Sequence, residues 1–358
     1  MRRVDIADAG FLMMEKRQTP THVGGVNLFT LPKGVNEQRY LAELADILRS
    51  ADEYRRPFGE YVKTGRAGPL GPMYWEEDHD LDIDYHVRHS ALPKPGRYRE
   101  LFALVSRLHS TLLDRNRPLW EVHLIEGVQD RQFALYMKMH HAAIDGVGAM
   151  HLTQAMCSTS KSARVTDSPL SLAAYERYKA AKFGNTPKRV IPKDSELRSV
   201  ANVFKEQFDS SANLFGAFKR VGGAWMGRGG DLSVPWKNMP KTSINTQVSG
   251  ARRFVAQSWD FGRIKAVCAA TDSTINDVVL AMCGGALRRY LLSQSDLPKQ
   301  SLKAMVPVSL RQKGDLDSSN AVGFITADLA TNIKNPEKRL RAIQASMIAG
   351  KDMLKNLS

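Results

Sequence analysis

Cysteine is scarce in this 358-residue chain. Cys157, Cys268 and Cys283 fit neither a zinc ligand spacing nor a disulfide framework, which predicts a reducing compartment. A membrane-length apolar run is also missing. The longest, residues 278–287, contains two glycines and is about half of the ~20 residues a bilayer span needs. The opening Met1-Arg2-Arg3-Val4-Asp5 leads into a mixed stretch with no apolar signal core. Together these absences predict a cytoplasmic protein whose membrane contact is peripheral. No internal repeat or low-complexity tract is visible, so solenoids and fibres are set aside. There is no Gly-x-Ser-x-Gly elbow and no cysteine near a histidine motif, so a covalent nucleophile has no candidate.

What is present is a globular balance, with 43% hydrophobic and 25% charged residues. The length suits two domains of ordinary size. Formal net charge is +14, and residues 177–253 carry 15 Lys/Arg against 5 Asp/Glu. Such a belt can attract DNA, an anionic membrane or a phosphorylated cofactor, or it can be a solvated surface. No nucleic-acid motif accompanies the charge, so nucleic acid is not expected as a partner.

The pattern along the chain predicts an α/β fold. Residues 22–30 form a strand, and 36–50 carry Tyr40, Leu41, Leu44, Ile47 and Leu48 at helical spacing. Leu81, Ile83, Tyr85 and Val87 alternate, which predicts a half-buried strand. Residues 98–113 have one apolar helical face. Strands follow at 121–127 and 132–140; in the second, Phe133, Leu135, Met137 and Met139 share one face, while Ala134, Tyr136, Lys138 and His140 share the other. A helix is expected soon after Gly146. Residues 158–195 are rich in Ser, Thr, Lys and Pro and predict a linker or crossover. A helix over 197–226, with Phe204, Phe208, Phe215, Phe218 and Trp225 on its apolar stripe, packs on its own domain or lies at a membrane interface. Beyond a Gly/Pro-rich stretch, a strand is expected at 253–259 and helices at 262–270 and 275–292. Thr274 and Asp277 form a capping-box pattern on the second of these helices. Strands at 302–309 and 320–331 and a helix opened by Asn335-Pro336 complete the set.

The chemically informative segment is His140-His141-Ala142-Ala143-Ile144-Asp145-Gly146. Neighbours on a strand point to opposite faces, so the two histidines cannot easily chelate one metal and must have different jobs. One can face a reacting centre while the other packs inside. A neutral imidazole near its ordinary pKa of ~6.5 suits removal of a proton from a hydroxyl. Asp145, if the following turn folds back, can fix the local geometry or the imidazole tautomer. Gly146 permits a backbone geometry or a close approach that a side chain would block.

His140-His141-x-x-x-Asp145-Gly146 resembles the signature of the CoA-dependent acyltransferase superfamily, which includes chloramphenicol acetyltransferase and peptide-synthetase condensation domains. Further blocks resemble one branch, the bacterial wax ester synthase/diacylglycerol acyltransferases. These are Phe11-Leu12, Glu15, Pro20-Thr21-His22-Val23-Gly24-Gly25, Pro118-Leu119-Trp120, Asn276-Asp277, Val308-Ser309-Leu310-Arg311 and Asn320-x-x-Gly323. Thr21 stands where the family usually has Met. The resemblance covers essentially the whole chain, although family members usually continue through further strands.

The resemblance implies two chloramphenicol-acetyltransferase-like domains with mixed sheets flanked by helices and an active-site tunnel at their interface. The first domain would span 1–185 and a basic helical crossover 186–250. A C-terminal domain, expected to be incomplete, would take up 251–358. The implied reaction moves a long-chain acyl group from acyl-CoA to a fatty alcohol or diacylglycerol, giving wax esters or triacylglycerols. His141 would be the general base, with His140 orienting, Asp145 and Gly146 shaping the site, and Arg311 as a candidate partner of Asp145. Asn276 could donate to the developing oxyanion, or simply serve the helix end; Asp277 supports it as the capping acid. Pro118, Leu119 and Trp120 would shape a substrate channel or a packed corner, and Ser309 could offer a hydroxyl near the carbonyl. No metal and no cofactor beyond the substrate acyl-CoA are expected. The basic belt would favour the CoA phosphates or an anionic membrane or lipid-inclusion surface. The rivals are an amide-forming condensation enzyme, whose carrier and adenylation patterns are missing, and a non-catalytic lipid-binding protein on the same fold.

Overall fold

The computed structural model describes residues 1–65, 71–160, 163–164, 166–183, 239–309 and 322–355. The chain divides into two compact units. Of the described residues, the first holds those within 1–183 and 248–256, and the second holds 239–247, 257–309 and 322–355.

The first unit runs β1 (Arg2–Arg3), α1 (Ile6–Met14), β2 (His22–Thr30), α2 (Glu37–Arg49), β3 (Glu60–Thr64), β4 (Met73–Glu77), α3 (Ile83–His86), β5 (Val87–Ala91), α4 (Tyr98–His109), β6 (Trp120–Val128), β7 (Gln132–His140), α5 (Gly146–Met156) and α6 (Leu172–Phe183). Its main sheet has the order β2-β7-β6-β5. The β2–β7 and β7–β6 pairs are antiparallel and the β6–β5 pair is parallel, so the sheet is mixed. β1, β4 and β3 form a second, antiparallel sheet.

Both faces of β6 and β7 are covered, which explains their near-continuous burial. Phe133, Leu135, Met137 and Met139 join Leu41, Ala45 and Leu48 of α2 and Leu152 of α5 in one cluster. Ala134 and Tyr136, on the other face, meet Leu101 and Val105 of α4. Each such large apolar side chain contributes roughly 1.5–3 kcal/mol by its burial. The period-2 pattern of β7 and the helical periodicity of α2 and α4 thus dictate a three-layer core.

Three segments differ from what the sequence pattern predicts. The strand expected over 81–87 is a short helix followed by a strand that starts at Val87. Asp82 accepts from the Tyr85 N–H, and this local side-chain cap turns the backbone before alternation can be used. The strand expected at 253–259 does not form. Residues 248–256 instead lie as a strap on the first unit, where the N–H groups of Arg252 and Phe254 donate to the hydroxyls of Ser110 and Ser106. Helix hydroxyls have taken the place of a neighbouring strand. Within the predicted linker, α6 forms behind Ser171, whose hydroxyl accepts from the Ala174 N–H at 3.1 Å. The apolar helix expected over 197–226 lies outside the described residues, as does most of the basic belt.

The second unit contains α7 (Phe261–Thr271), α8 (Ile275–Ser293), the antiparallel strands β8 (Lys303–Ser309) and β9 (Val322–Asp328), and α9 (Pro336–Lys355). Ile343 and Met347 of α9 pack on Val306, Ile325 and Ala327. Gly284 on α8 leaves room for the Leu329 carbonyl, which a Cβ would overlap. Thr274 and Asp277 complete the capping box: the Thr274 hydroxyl accepts from the Asp277 N–H at 3.2 Å, and the Asp277 carboxylate accepts from the Thr274 N–H at 2.9 Å. Among the described residues no single helix is long and apolar enough to cross a membrane; α7 and α8 qualify only as a pair bent by 103°.

Candidate active site

β7 ends at the histidine pair because two other segments take its last N–H groups. The His140 N–H donates to the Leu119 carbonyl at 2.9 Å, and the His141 N–H donates to the Thr21 carbonyl at 3.0 Å. Residues far apart in sequence therefore fix the strand end from both sides. The chain then turns, with the Ala143 N–H donating to the His140 carbonyl. Asp145, which is buried, caps α5 through a 2.7 Å bond from the Gly148 N–H.

The alternation of the strand separates the two rings. His140 is fully buried. Its Nδ1 accepts from the Ala142 N–H at 3.0 Å, so that nitrogen carries no proton. The proton is thereby assigned to Nε2, which donates to the Thr21 hydroxyl at 3.0 Å; that hydroxyl in turn donates to the Phe11 carbonyl. Both nitrogens of His140 are committed to holding the turn and the N-terminal segment. His141 is partly exposed. Its ring stacks on Phe11 with centroids 4.2 Å apart and an interplanar angle of 16°. One histidine is thus a buried bracket, and the other is a partly exposed residue whose ring rests on an aromatic face with its Nδ1 turned inward.

Glu15 anchors the bracket. Its side chain is 2% exposed, accepts from the Thr21 N–H, and lies 3.6 Å from His140 Nε2. Arg115 donates to it at 3.2 and 2.8 Å, and also to the Leu12 carbonyl at 2.7 Å. Burial alone would raise the Glu15 pKa. The His140 ring beside it and the bonds from Arg115 and Thr21 outweigh that cost and hold it at about 2, against an ordinary 4.5. Arg115 lies 100 residues from Glu15 in the chain, and no local pattern announces the pair.

A second polar layer lies on the same face of the sheet. Lys138 is fully buried and donates to the Leu108 and Thr111 carbonyls at 3.2 and 2.6 Å, where α4 ends. Burial lowers its pKa, partly offset by Glu121, whose carboxylate is 3.7 Å away. His22 donates to the His109 carbonyl at 2.9 Å, and burial pushes its pKa down to about 4. The Tyr136 hydroxyl pairs with His109 Nδ1 at 2.9 Å. A side chain at Gly24 would strike this pair: a Cβ there would lie 2.9 Å from the hydroxyl and 3.1 Å from His109 Nδ1. The polar sequence face of β7 was the available signal for this layer, whereas the partners on α4 had none.

The other expected site residues divide as follows. Pro118, Leu119 and Trp120 are all buried. Trp120 donates its indole N–H to the Phe58 carbonyl at 2.8 Å and stacks with His86. What these three give the described site is the Leu119 carbonyl, which accepts from the His140 N–H. Gly146 is exposed, lacks a positive φ, and a Cβ there would meet no described atom within 4 Å. Glycine at 146 is therefore not called for by a positive φ, and open space lies where a Cβ would stand. In the second unit, Asn276 is exposed in the first turn of α8, and Asp277 is consumed by the capping box. Ser309 closes β8 opposite Val322; its side chain, Arg311 and Asn320 lie outside the described residues. Among the described residues no His, Cys, Asp and Glu side chains gather in a metal-holding group.

The family model for the wax ester synthase/diacylglycerol acyltransferase catalytic domain matches residues 5–279. An O-acyltransferase of Acinetobacter baylyi is 37% identical over 359 residues, covering 100% of this chain and 74% of that protein. A protein of Mycobacterium tuberculosis named as a probable diacylglycerol O-acyltransferase is 40% identical over 368 residues, covering 98% and 74%. Among solved structures, the wax ester synthase/diacylglycerol acyltransferase from Marinobacter aquaeolei VT8 superposes with a TM-score of 0.69 at 36% identity, covering 98% of this chain and 72% of that one. The first condensation domain of the CDA synthetase shares the fold at a TM-score of 0.54 and 16% identity.

Proposed function

Since the chain belongs to the wax ester synthase/diacylglycerol acyltransferase family, we propose that it is an O-acyltransferase that takes a long-chain acyl group from acyl-CoA and passes it to the hydroxyl of a fatty alcohol or diacylglycerol, with His141 as the general base. The names of the relatives support acyl transfer that yields wax esters or triacylglycerols.

The observation that carries the assignment of the base is the division of labour within the pair. His140 spends its Nδ1 lone pair on the Ala142 N–H and its Nε2 proton on Thr21. Protonating it would break a bond that holds the turn. His141 is partly exposed and steadied by Phe11 and by the Thr21 carbonyl, and with its Nδ1 buried the nitrogen assigned to meet the acceptor hydroxyl is Nε2. In the reaction the acceptor oxygen gives its proton to the imidazole and bonds to the thioester carbonyl carbon. The tetrahedral centre collapses, the C–S bond breaks, and the imidazolium returns its proton to the CoA sulfur. No acyl-enzyme is required.

The test is incubation of the purified protein with labelled palmitoyl-CoA and either hexadecanol or dioleoylglycerol, followed by identification of the lipid product. His141→Ala should lower kcat by 10²–10⁴-fold, the usual worth of a positioned base, with the melting temperature held near that of the parent. Undiminished ester formation by His141→Ala would remove His141 from the role of base.

A further inference from the structure

The first unit carries a groove that none of the site residues above uses. It has a volume of about 900 Å³ and lies where the loop after Glu15, the last turns of α4 and the strap at 248–256 come together. This volume is at the upper end of the range for small-molecule sites. Arg17, Arg107 and Arg253 line it, and its ten lining residues include no carboxylate.

These three arginines are set apart from their neighbours. Arg115 faces Glu15, Arg88 faces Glu121, Arg117 faces Asp82 and Arg97 faces Glu100. Arg17, Arg107 and Arg253 are exposed, and among the described residues none of them has an acidic partner. The groove wall is also held in place. Arg252 donates to the Gln18 carbonyl at 2.8 Å and its N–H donates to Ser110, which fastens the strap to both other walls. At Gly250 the strap passes so close to the loop that a Cβ would come within 2.9 Å of the Arg17 carbonyl. Planar guanidinium forks on a fixed wall, with no carboxylate to neutralise them, are suited to phosphate oxygens.

We infer that this groove binds the phosphorylated nucleotide end of the acyl donor, the adenosine 3′,5′-bisphosphate portion of CoA, through Arg17, Arg107 and Arg253. This rests on the acyl-CoA reading given above. The loop that supplies Arg17 is the one whose Glu15 and Thr21 frame the histidine pair. The phosphates would then sit along the same segment as the base but away from it, as a donor with an extended pantetheine arm requires.

The experiment uses the full chain with all three arginines changed to Gln, and a second variant with all three changed to Lys. Isothermal titration with adenosine 3′,5′-bisphosphate reads the groove without catalysis. The Gln variant should bind at least tenfold more weakly, and the Lys variant should fall between it and the parent. With hexadecanol as acceptor, the ratio of kcat/KM for palmitoyl-CoA to that for palmitoyl-pantetheine should fall tenfold or more in the Gln variant, because only the first donor carries the nucleotide. The preference for palmitoyl-CoA should also weaken with added salt in the parent and much less so in the Gln variant. Unchanged bisphosphate affinity together with an unchanged donor ratio overturns the proposal. So does loss of binding to phosphatidylglycerol vesicles with bisphosphate affinity intact, which would make the groove a lipid headgroup site. A parent protein that binds the bisphosphate through these arginines but turns over no acyl-CoA would overturn the catalytic reading and leave the groove standing.

Discussion

Replacing Glu15 by Gln keeps the shape of the bracket and removes its charge. The folded pKa of about 2, set against an ordinary 4.5, corresponds to about 3 kcal/mol at pH 7, at ~1.4 kcal/mol per unit. The sign follows from the direction of the shift. The native state keeps this carboxylate ionised where the unfolded chain has already protonated it, so the stabilisation is complete above about pH 4.5 and is lost as the pH falls toward 2. The stability gap between the parent and Glu15→Gln should therefore be about 3 kcal/mol at pH 7 and should narrow to about 2 kcal/mol at pH 3.5. Arg115, at 38% exposure, can turn to water, which keeps the loss below that of a sealed orphan charge. The assay is urea unfolding followed by tryptophan fluorescence at the two pH values; Trp75 and Trp120 are both buried in the first unit. Because Thr21 connects Glu15 to the His141 backbone, ester formation should fall as well. A gap below about 1 kcal/mol at pH 7, or one that does not change with pH, would refute the description of Glu15 as the ionised anchor of the histidine turn.

Three further outcomes are expected. Gly24→Ala pushes a methyl against the Tyr136 hydroxyl and His109, so it should cost roughly 1–3 kcal/mol of stability. Adding Tyr136→Phe, which removes the nearest atom, should recover part of that loss, and no recovery would point to a clash elsewhere. The His22 ring, lowered to about 4 by its burial, should stay neutral in an NMR titration down to pH 5; it favours the native state above pH 6.5 and ceases to do so as the pH falls toward 4, and a midpoint near 6.5 would contradict the buried placement. Thr274→Ala removes one half of the capping box on α8 and should cost about 1 kcal/mol, seen as a lower melting temperature for the second unit; an unchanged melt would mean that the helix end is held by other contacts.

The sequence exposes those parts of the fold whose physics is local. α2 and α4 show their apolar stripes, β7 shows strict alternation, and α8 announces its start through Thr274 and Asp277. Elements controlled by side chains reaching the backbone are not legible in the same way. Asp82 converts an alternating stretch into a turn, and Ser106 and Ser110 capture N–H groups that would otherwise have entered a ladder. The same holds for the candidate site. The histidine pair and Asp145 are separated by only three residues in the sequence. The pairing of Glu15 with Arg115, the burial of Trp120, and the Lys138 ammonium set against the end of α4 are products of tertiary folding between distant positions.

The return of residues 248–256 to the first unit has a practical bearing on dissection of the molecule. A fragment that stops near residue 185 leaves the hydroxyls of Ser106 and Ser110 without the two amides they receive from the strap, and strips Phe254 from Phe102. Such a half-molecule would be sticky along one helix and poorly closed, whatever the merit of its other boundaries. Split-protein designs and domain exchanges in this chain have to carry the nine-residue stitch together with the N-terminal part, even though dozens of residues intervene between them in the gene.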